Sequence, residues 1–184
     1  LKNKKSEYSY ILGVYLGDGT ISKIKRGYKL RIFLDSKYYN IVEESVKNLK
    51  LLFPNNKVNV HKELCNMYII TLYSNLLPKL FPQFGKGLKH KRNIILDKFQ
   101  LENIDNIQLI KGLFHSDGSL YKAKIRIYEK FFYNFTNMSK DIIDIYCKAL
   151  NNIGIYYNLN QKKKNNVYQV NVYKKEYFTK ANGT

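Results

Sequence analysis

The feature that most constrains this chain is a nonapeptide that occurs twice. Residues 11–19 read Ile-Leu-Gly-Val-Tyr-Leu-Gly-Asp-Gly, and residues 110–118 read Ile-Lys-Gly-Leu-Phe-His-Ser-Asp-Gly. In each copy a glycine, Gly13 or Gly112, precedes a second small residue, Gly17 or Ser116, by four positions, and an Asp-Gly pair closes the segment. Small residues at i and i+4 share one helix face and let another backbone approach closely, so two such helices in one chain are natural partners. Gly19 and Gly118 are expected to supply the left-handed residue that ends each helix. Asp18 and Asp117 would then sit at equivalent ends of two tightly packed helices. Carboxylates placed there repel each other and face the negative ends of helix dipoles, so a cation is expected between them. Hard divalent cations meet that need, because one or two carboxylates commonly hold them while phosphate oxygens complete the shell.

The charge balance points to what would bring the phosphate. Against 14 Asp plus Glu stand 32 Lys plus Arg, a net charge of +18 with a pI near 9.7. Self-repulsion on that scale favours a polyanionic partner, and nucleic acid fits better than a membrane. No apolar run approaches the roughly 18 residues needed to span a bilayer, and the basic residues do not flank an amphipathic anchor. Cys65 and Cys147 lack zinc-type spacing and read as reduced packing residues, and no signal-peptide pattern opens the chain. An intracellular location is expected. The missing initiator Met and a last helix cut short at Thr184 point to a longer gene product.

Around the motifs the hydrophobic periodicity predicts two like halves, residues 1–82 and 105–184, joined by a basic linker over 83–104. A central helix over residues 7–16, capped by Ser6 or Ser9, leads into a hairpin of strands 20–25 and 28–34 that turns at Lys25, Arg26 and Gly27. In its second strand Tyr28, Leu30, Ile32 and Leu34 face one way and Lys29, Arg31 and Phe33 the other. A helix from Asp35 or Ser36 to Leu52, strands over 58–60 and 68–73, and a short helix over 76–81 complete an αββαββα half. The second half repeats the order, beginning with a central helix over 105–116. Its first strand alternates Lys122, Lys124 and Arg126 with Ala123, Ile125 and Ile127, and the next covers 131–136. A helix over 139–150, ended near Gly154, precedes strands over 156–160 and 167–173. In the last strand Tyr168, Val170 and Val172 are expected in the core, with Gln169 and Asn171 outward. The expected class is α+β, with two antiparallel sheets side by side and a curved face opposite the helices.

That face would carry Lys25, Arg26, Lys29 and Arg31 from one half, and Lys122, Lys124, Arg126, Gln169 and Asn171 from the other. The loop residues Lys162, Lys163 and Lys164 lie beside it. Arg and Lys can reach guanine O6/N7, and Asn and Gln pair with adenine, although most basic side chains at such surfaces touch phosphate. Lys89, Lys91 and Arg92 of the linker read as phosphate contacts.

The motif pair resembles the LAGLIDADG family of homing endonucleases in its single-chain, two-motif form. Leu16 and His115 stand where the family name has its first Asp, and Leu12 and Lys111 where it has Ala. In that family the last acidic residue of each motif binds the catalytic metals. The resemblance therefore implies that Asp18 and Asp117 are the catalytic metal ligands, with Gly17 and Ser116 beside them in the metal site. Gly13, Gly17, Gly112 and Ser116 would form the helix interface. Polar or basic side chains expected around the attacking water are Asp35, Lys37, Asn137 and Lys140, with His115 close by; Asp35 reads equally well as a helix N-cap. Also implied are Mg²⁺, with Mn²⁺ as a substitute, a monomer, no membrane, and hydrolysis of both strands of a double-stranded DNA held in a β-saddle. A non-cleaving DNA-binding protein, or a maturase that binds intron RNA, is the alternative on the same fold.

Overall fold

The computed structural model describes residues 3–125, 128–162 and 166–172, leaving aside the side chains of residues 123–130. Helix α1 (Lys5–Asp18) is buried along the whole run from Tyr8 to Leu16. A helix that is apolar all round belongs between layers, and its ends carry no amphipathic signal, which is why it extends beyond the predicted 7–16. Ser6 and Ser9 lie inside the helix and cap nothing. Ser9 Oγ instead accepts the Asp105 N–H at 2.8 Å and ties the second half to α1.

Strand β1 (Gly19–Ile24) leaves α1 with no intervening loop and returns as β2 (Gly27–Asp35), the turn using Gly27 at φ +118°. Gly19 is not left-handed. Its φ of −95° and ψ of 156° are extended, and Gly118 is the same at −87° and 156°. Glycine serves there by leaving room: a Cβ on Gly19 would lie 2.6 Å from Tyr15 Cα, and one on Gly118 2.3 Å from the Phe114 carbonyl oxygen.

The Asp35 carboxylate accepts the Lys37 N–H at 2.8 Å and starts a 3₁₀ turn, Ser36–Tyr38, which runs into α2 (Tyr39–Leu52). Strands β3 (Val58–Glu63) and β4 (Met67–Tyr73) and helix α3 (Leu77–Leu80) complete the first half, an antiparallel sheet in the order β1-β2-β4-β3. The segment between the halves holds a helix the periodicity did not indicate, α4 (Lys98–Asn103), started by a capping box between Asp97 and Gln100. Gln100 is buried and donates to Tyr8 Oη at 2.8 Å, so this segment is fastened onto α1.

The second half runs α5 (Asn106–Asp117), β5 (Gly118–Ile125), β6 (Tyr128–Asn137), α6 (Lys140–Asn152), β7 (Tyr157–Lys162) and β8 (Val167–Val172), with sheet order β5-β6-β8-β7. The first hairpin differs from the expected one: β5 begins at the motif glycine, four residues before Lys122, and ends at Ile125, while Tyr128 opens β6; Arg126 and Ile127 lie outside the described residues. The expected last helix lies outside the described residues. Helix α6 buries Ile142, Ile143, Tyr146, Cys147 and Leu150. Cys65 is exposed and is therefore not a packing residue.

The fold is α+β. α1 and α5 pack on each other at the centre, α2 and α6 pack beside them, and each sheet turns one face to the helices. Leu30, Ile32, Ile70 and Leu72 of one sheet, and Phe135 and Val170 of the other, are fully buried on that face. Each such side chain contributes roughly 1.5–3 kcal/mol, which pins the register and leaves the opposite faces free for other work. Among the described residues no helix is long and apolar enough to cross a membrane.

Candidate functional site

The motif glycines determine how closely the two central helices meet. A Cβ on Gly13 would lie 2.6 Å from both Leu109 O and Leu113 N, and one on Gly112 only 2.2 Å from Tyr10 O. One turn on, a Cβ on Gly17 would lie 2.0 Å from Ser116 Oγ and 2.9 Å from Asp117 Oδ2. The carboxylate that ends α5 thus lies against the residue preceding the carboxylate that ends α1. Burial pushes the Asp18 carboxyl up to about 7, with the charge of Asp117 adding to the effect. Burial also raises Asp117, opposed by a hydrogen bond from Asn137 and by the charge of Lys89.

Asn137, at the end of β6, donates through Nδ2 to Asp117 Oδ2 at 2.9 Å, while its Oδ1 accepts the Ser139 N–H at 2.7 Å. The amide is held at both ends, and it fixes one carboxylate oxygen.

Lys89 does something the sequence did not indicate. Its ammonium donates to the carbonyl oxygens of Tyr15, Leu16 and Gly17 at 2.6, 3.0 and 2.8 Å, using all three protons on the C-terminal turn of α1. Burial brings its pKa down to about 8, against the opposing pull of Asp18 and Asp117. Lys89 is a helix cap and counter-charge for the acidic pair, not an outward phosphate contact. Lys89→Met should therefore lower the stability of the metal-free protein by about 1–3 kcal/mol, measured by urea unfolding. An unchanged unfolding midpoint would contradict this role. Two clefts, of about 390 and 370 Å³, flank it; Asp117 and Asn137 line the first, Asp18 and Arg92 the second, and Gly17, Lys89 and His90 line both.

The other expected site residues lie elsewhere. His115 faces away from the carboxylates, its Nδ1 3.0 Å from Tyr10 Oη and 3.8 Å from Glu44 Oε2. Ser116 Oγ donates to Leu113 O at 2.7 Å and acts as a packing residue. Asp35 is the 3₁₀ cap, Lys37 is exposed with its ammonium 5.5 Å from the Tyr38 ring centre, and Lys140 pairs with Asp144 on the surface of α6. None of His115, Asp35, Lys37 and Lys140 contacts the acidic pair in this structure. Among the described residues no group of three or more His, Cys, Asp or Glu is placed to hold a metal ion. The carboxylates of Asp18 and Asp117 form an all-oxygen donor set. It fits a hard divalent cation whose shell is completed by phosphate and water.

Comparison with known families settles the architecture. The LAGLIDADG-like domain matches residues 106–182, and the WhiA LAGLIDADG-like domain matches residues 7–71, one on each half. The chain belongs to the LAGLIDADG family. It is 27% identical over 168 residues to the uncharacterized protein MJ0314 of Methanocaldococcus jannaschii, covering 89% of this chain and 60% of that protein's length. It is 26% identical over 153 residues to homing endonuclease I-DmoI of Desulfurococcus mucosus, covering 80% of this chain and 70% of the relative. Its fold matches the crystal structure of I-DmoI in complex with DNA and Mn with a TM-score of 0.63 at 19% identity, over 92% of this chain and 90% of the other.

Basic and carboxamide side chains are expected from the sequence on the sheet faces turned away from the helices, and strand register decides which residues lie there. In the first sheet Leu30 pairs with Leu72 and Ile32 with Ile70 on the core side, so Lys29 and Arg31 face out. Arg31 stacks 5.8 Å from the Phe33 ring centre, and its buried Nε has no hydrogen-bond partner among the described residues, as is also true of Arg92. Lys25 and Arg26 are exposed at the hairpin tip, and Lys91 is exposed beyond Lys89.

In the second sheet Phe135 pairs with Gly118 and Val170, which puts every second residue of β5 from Gly118 on the helix side. Lys122, paired with Phe131, is on that side, 5.7 Å from its ring centre, and not on the outward face. The outward face holds Tyr121, Asn134, Thr136, Gln169 and Asn171. Asn171 is buried there against Asn134, not free. Lys162 is exposed at the end of β7. The Lys124 side chain, Arg126, Lys163 and Lys164 lie outside the described residues.

Proposed function

We propose that this protein is a site-specific DNA endonuclease that hydrolyses both strands of a double-stranded target with a divalent metal, Mg²⁺ or Mn²⁺, and acts as a monomer. The reading rests on one observation above the others: Asp117 Oδ2 lies against Gly17, beside Asp18, at the close crossing of α1 and α5. Two buried acids in one place, the charge of Asp117 adding to the rise at Asp18, are an arrangement that stability alone does not favour. The I-DmoI relative is a homing endonuclease, crystallised with DNA and Mn.

Asp18 and Asp117 would hold the metal. When bound, it supplies Lewis acidity and charge neutralisation at the phosphodiester. Asn137 keeps the Asp117 carboxylate in one orientation, and the fixed positive charge of Lys89 offsets phosphate charge entering either cleft. Lys29 and Arg31 on the first sheet, with Lys25 and Arg26 at its tip, hold the duplex through phosphate and groove contacts.

A DNA-binding face of this kind releases counterions when it binds. Affinity for a specific duplex should fall by about 10³-fold or more between 50 and 200 mM salt, measured by fluorescence anisotropy. A flat response would remove the phosphate-tracking surface. The decisive test is a randomised double-stranded library incubated with Mg²⁺, with sequencing of cleaved ends. The WhiA-like match over residues 7–71 favours a second reading, in which the same face binds DNA without cutting it. Sequence-specific binding with no cleavage in Mg²⁺ or Mn²⁺ would decide for that alternative.

A further inference from the structure

The two sheets turn different chemistry away from the helices. Outward rungs of the first sheet align Arg31 with Thr20, Thr71 and a single carboxamide, Asn59, and Lys29 with Ser22 and Tyr73. In the second sheet one rung aligns Ser119, Asn134, Asn171 and Asn158, and another aligns Thr136, Gln169 and Asn160. Asparagine is disfavoured in strands, so gathering these carboxamides on one face is not what strand stability selects.

Their hydrogen bonds form a floor and a reader. Asn134 and Asn171 are buried side by side, with Asn134 Nδ2 donating to Asn171 Oδ1 at 2.8 Å. Gln169 Nε2 donates to the same oxygen at 3.4 Å, while Gln169 itself remains partly exposed. A carboxamide has two N–H donors and two acceptor lone pairs. With one N–H anchored below, Gln169 keeps the other N–H and its Oε1 in a restricted orientation, the donor and acceptor pair that matches N7 and N6 of adenine in the major groove. Asn158 and Asn160 are exposed on the adjoining strand β7.

Building on the DNA-binding reading above, we propose that the second sheet is the adenine-reading half of the DNA surface, with Gln169 as its anchored reader and Asn160 beside it. The first sheet, through Arg31 and Lys29, reads guanine or phosphate, so the target is chemically asymmetric, with A·T pairs concentrated in one half.

The test is selection of bound duplexes from a randomised double-stranded library in Ca²⁺, which reads binding apart from cleavage. The wild-type protein should enrich A·T pairs in one half-site. Gln169→Lys should move the preference at one of those pairs from adenine to guanine by about tenfold or more, leaving the other half-site unchanged. Asn160→Ala, on an exposed rung, should relax a neighbouring pair without affecting folding. A specific site whose base preferences are the same in all three proteins would overturn the assignment while leaving DNA binding intact. Recovery of no specific sequence by the wild-type protein would overturn both.

Discussion

Asp18→Asn and Asp117→Asn should each reduce strand cleavage by roughly 10²–10³-fold or more while leaving duplex binding nearly unchanged. Asn keeps the shape of the side chain but removes the charge that would hold a divalent cation, and the outward sheet faces that carry affinity are untouched. The substitution should not harm the fold. Because burial and Asp117 hold Asp18 well above its ordinary value, the folded chain binds that proton more tightly than the unfolded one. The penalty for ionising Asp18 therefore grows as pH rises from its ordinary value near 3.8 and is complete above about 7. In metal-free solution Asp18→Asn should accordingly melt at or above the wild-type temperature at neutral pH, with the two converging below about pH 4. Inactivity with an unchanged or higher melting point separates a lost metal ligand from a lost fold. Cleavage of both strands by the double variant would refute the assignment.

What could be read in advance follows from where the physics is local. The helix-packing glycines and the acidic pair were legible because an i, i+4 pattern repeated twice is a local signal with a geometric meaning. The first sheet was legible because Tyr28 to Leu34 alternates cleanly. Its counterpart was misread because Ala123, Ile125 and Ile127 look like an inward face, whereas β5 starts at the motif glycine and its register is set from there. The repeat itself contained the correction. Ile21, in the core, is two residues past Gly19, as Leu120 is past Gly118, and Lys122 lies on Leu120's side of the strand. Lys89 gave no such signal. It sits in a basic run with Lys91 and Arg92, and only the path of the linker over the end of α1 turns its amine inward. The Asp97-Gln100 capping box could have been found from residue type and spacing, but the basic residues upstream drew that segment into a linker reading.

The closest approach of a described glycine to a backbone atom carries the other large expected effect. Gly112→Ala adds one methyl group where the nearest atoms are backbone, with Tyr10 O at 2.2 Å and Val14 N at 3.0 Å, so no side chain can rotate aside. Alanine gains about 1 kcal/mol in helix propensity over glycine. Overpacking against an opposing backbone costs about 1–3 kcal/mol or more, and at this distance the upper end applies because the whole of α5 must shift. The net result should be a lower melting temperature by several degrees, with Gly112→Leu failing to fold. Any outward shift of α5 also moves Asp117 away from Gly17 and Asp18. Cleavage by Gly112→Ala should therefore fall even at temperatures where the variant remains folded, while salt-dependent DNA binding persists. Gly87→Ala is the control, since no atom lies within 4 Å of its Cβ and only its φ of +82° opposes the change. It should lose stability without selective loss of cleavage. If Gly112→Ala melts like wild type and cuts at the same rate, the helices are not held at backbone distance, and the reason for placing the two carboxylates together disappears with that contact.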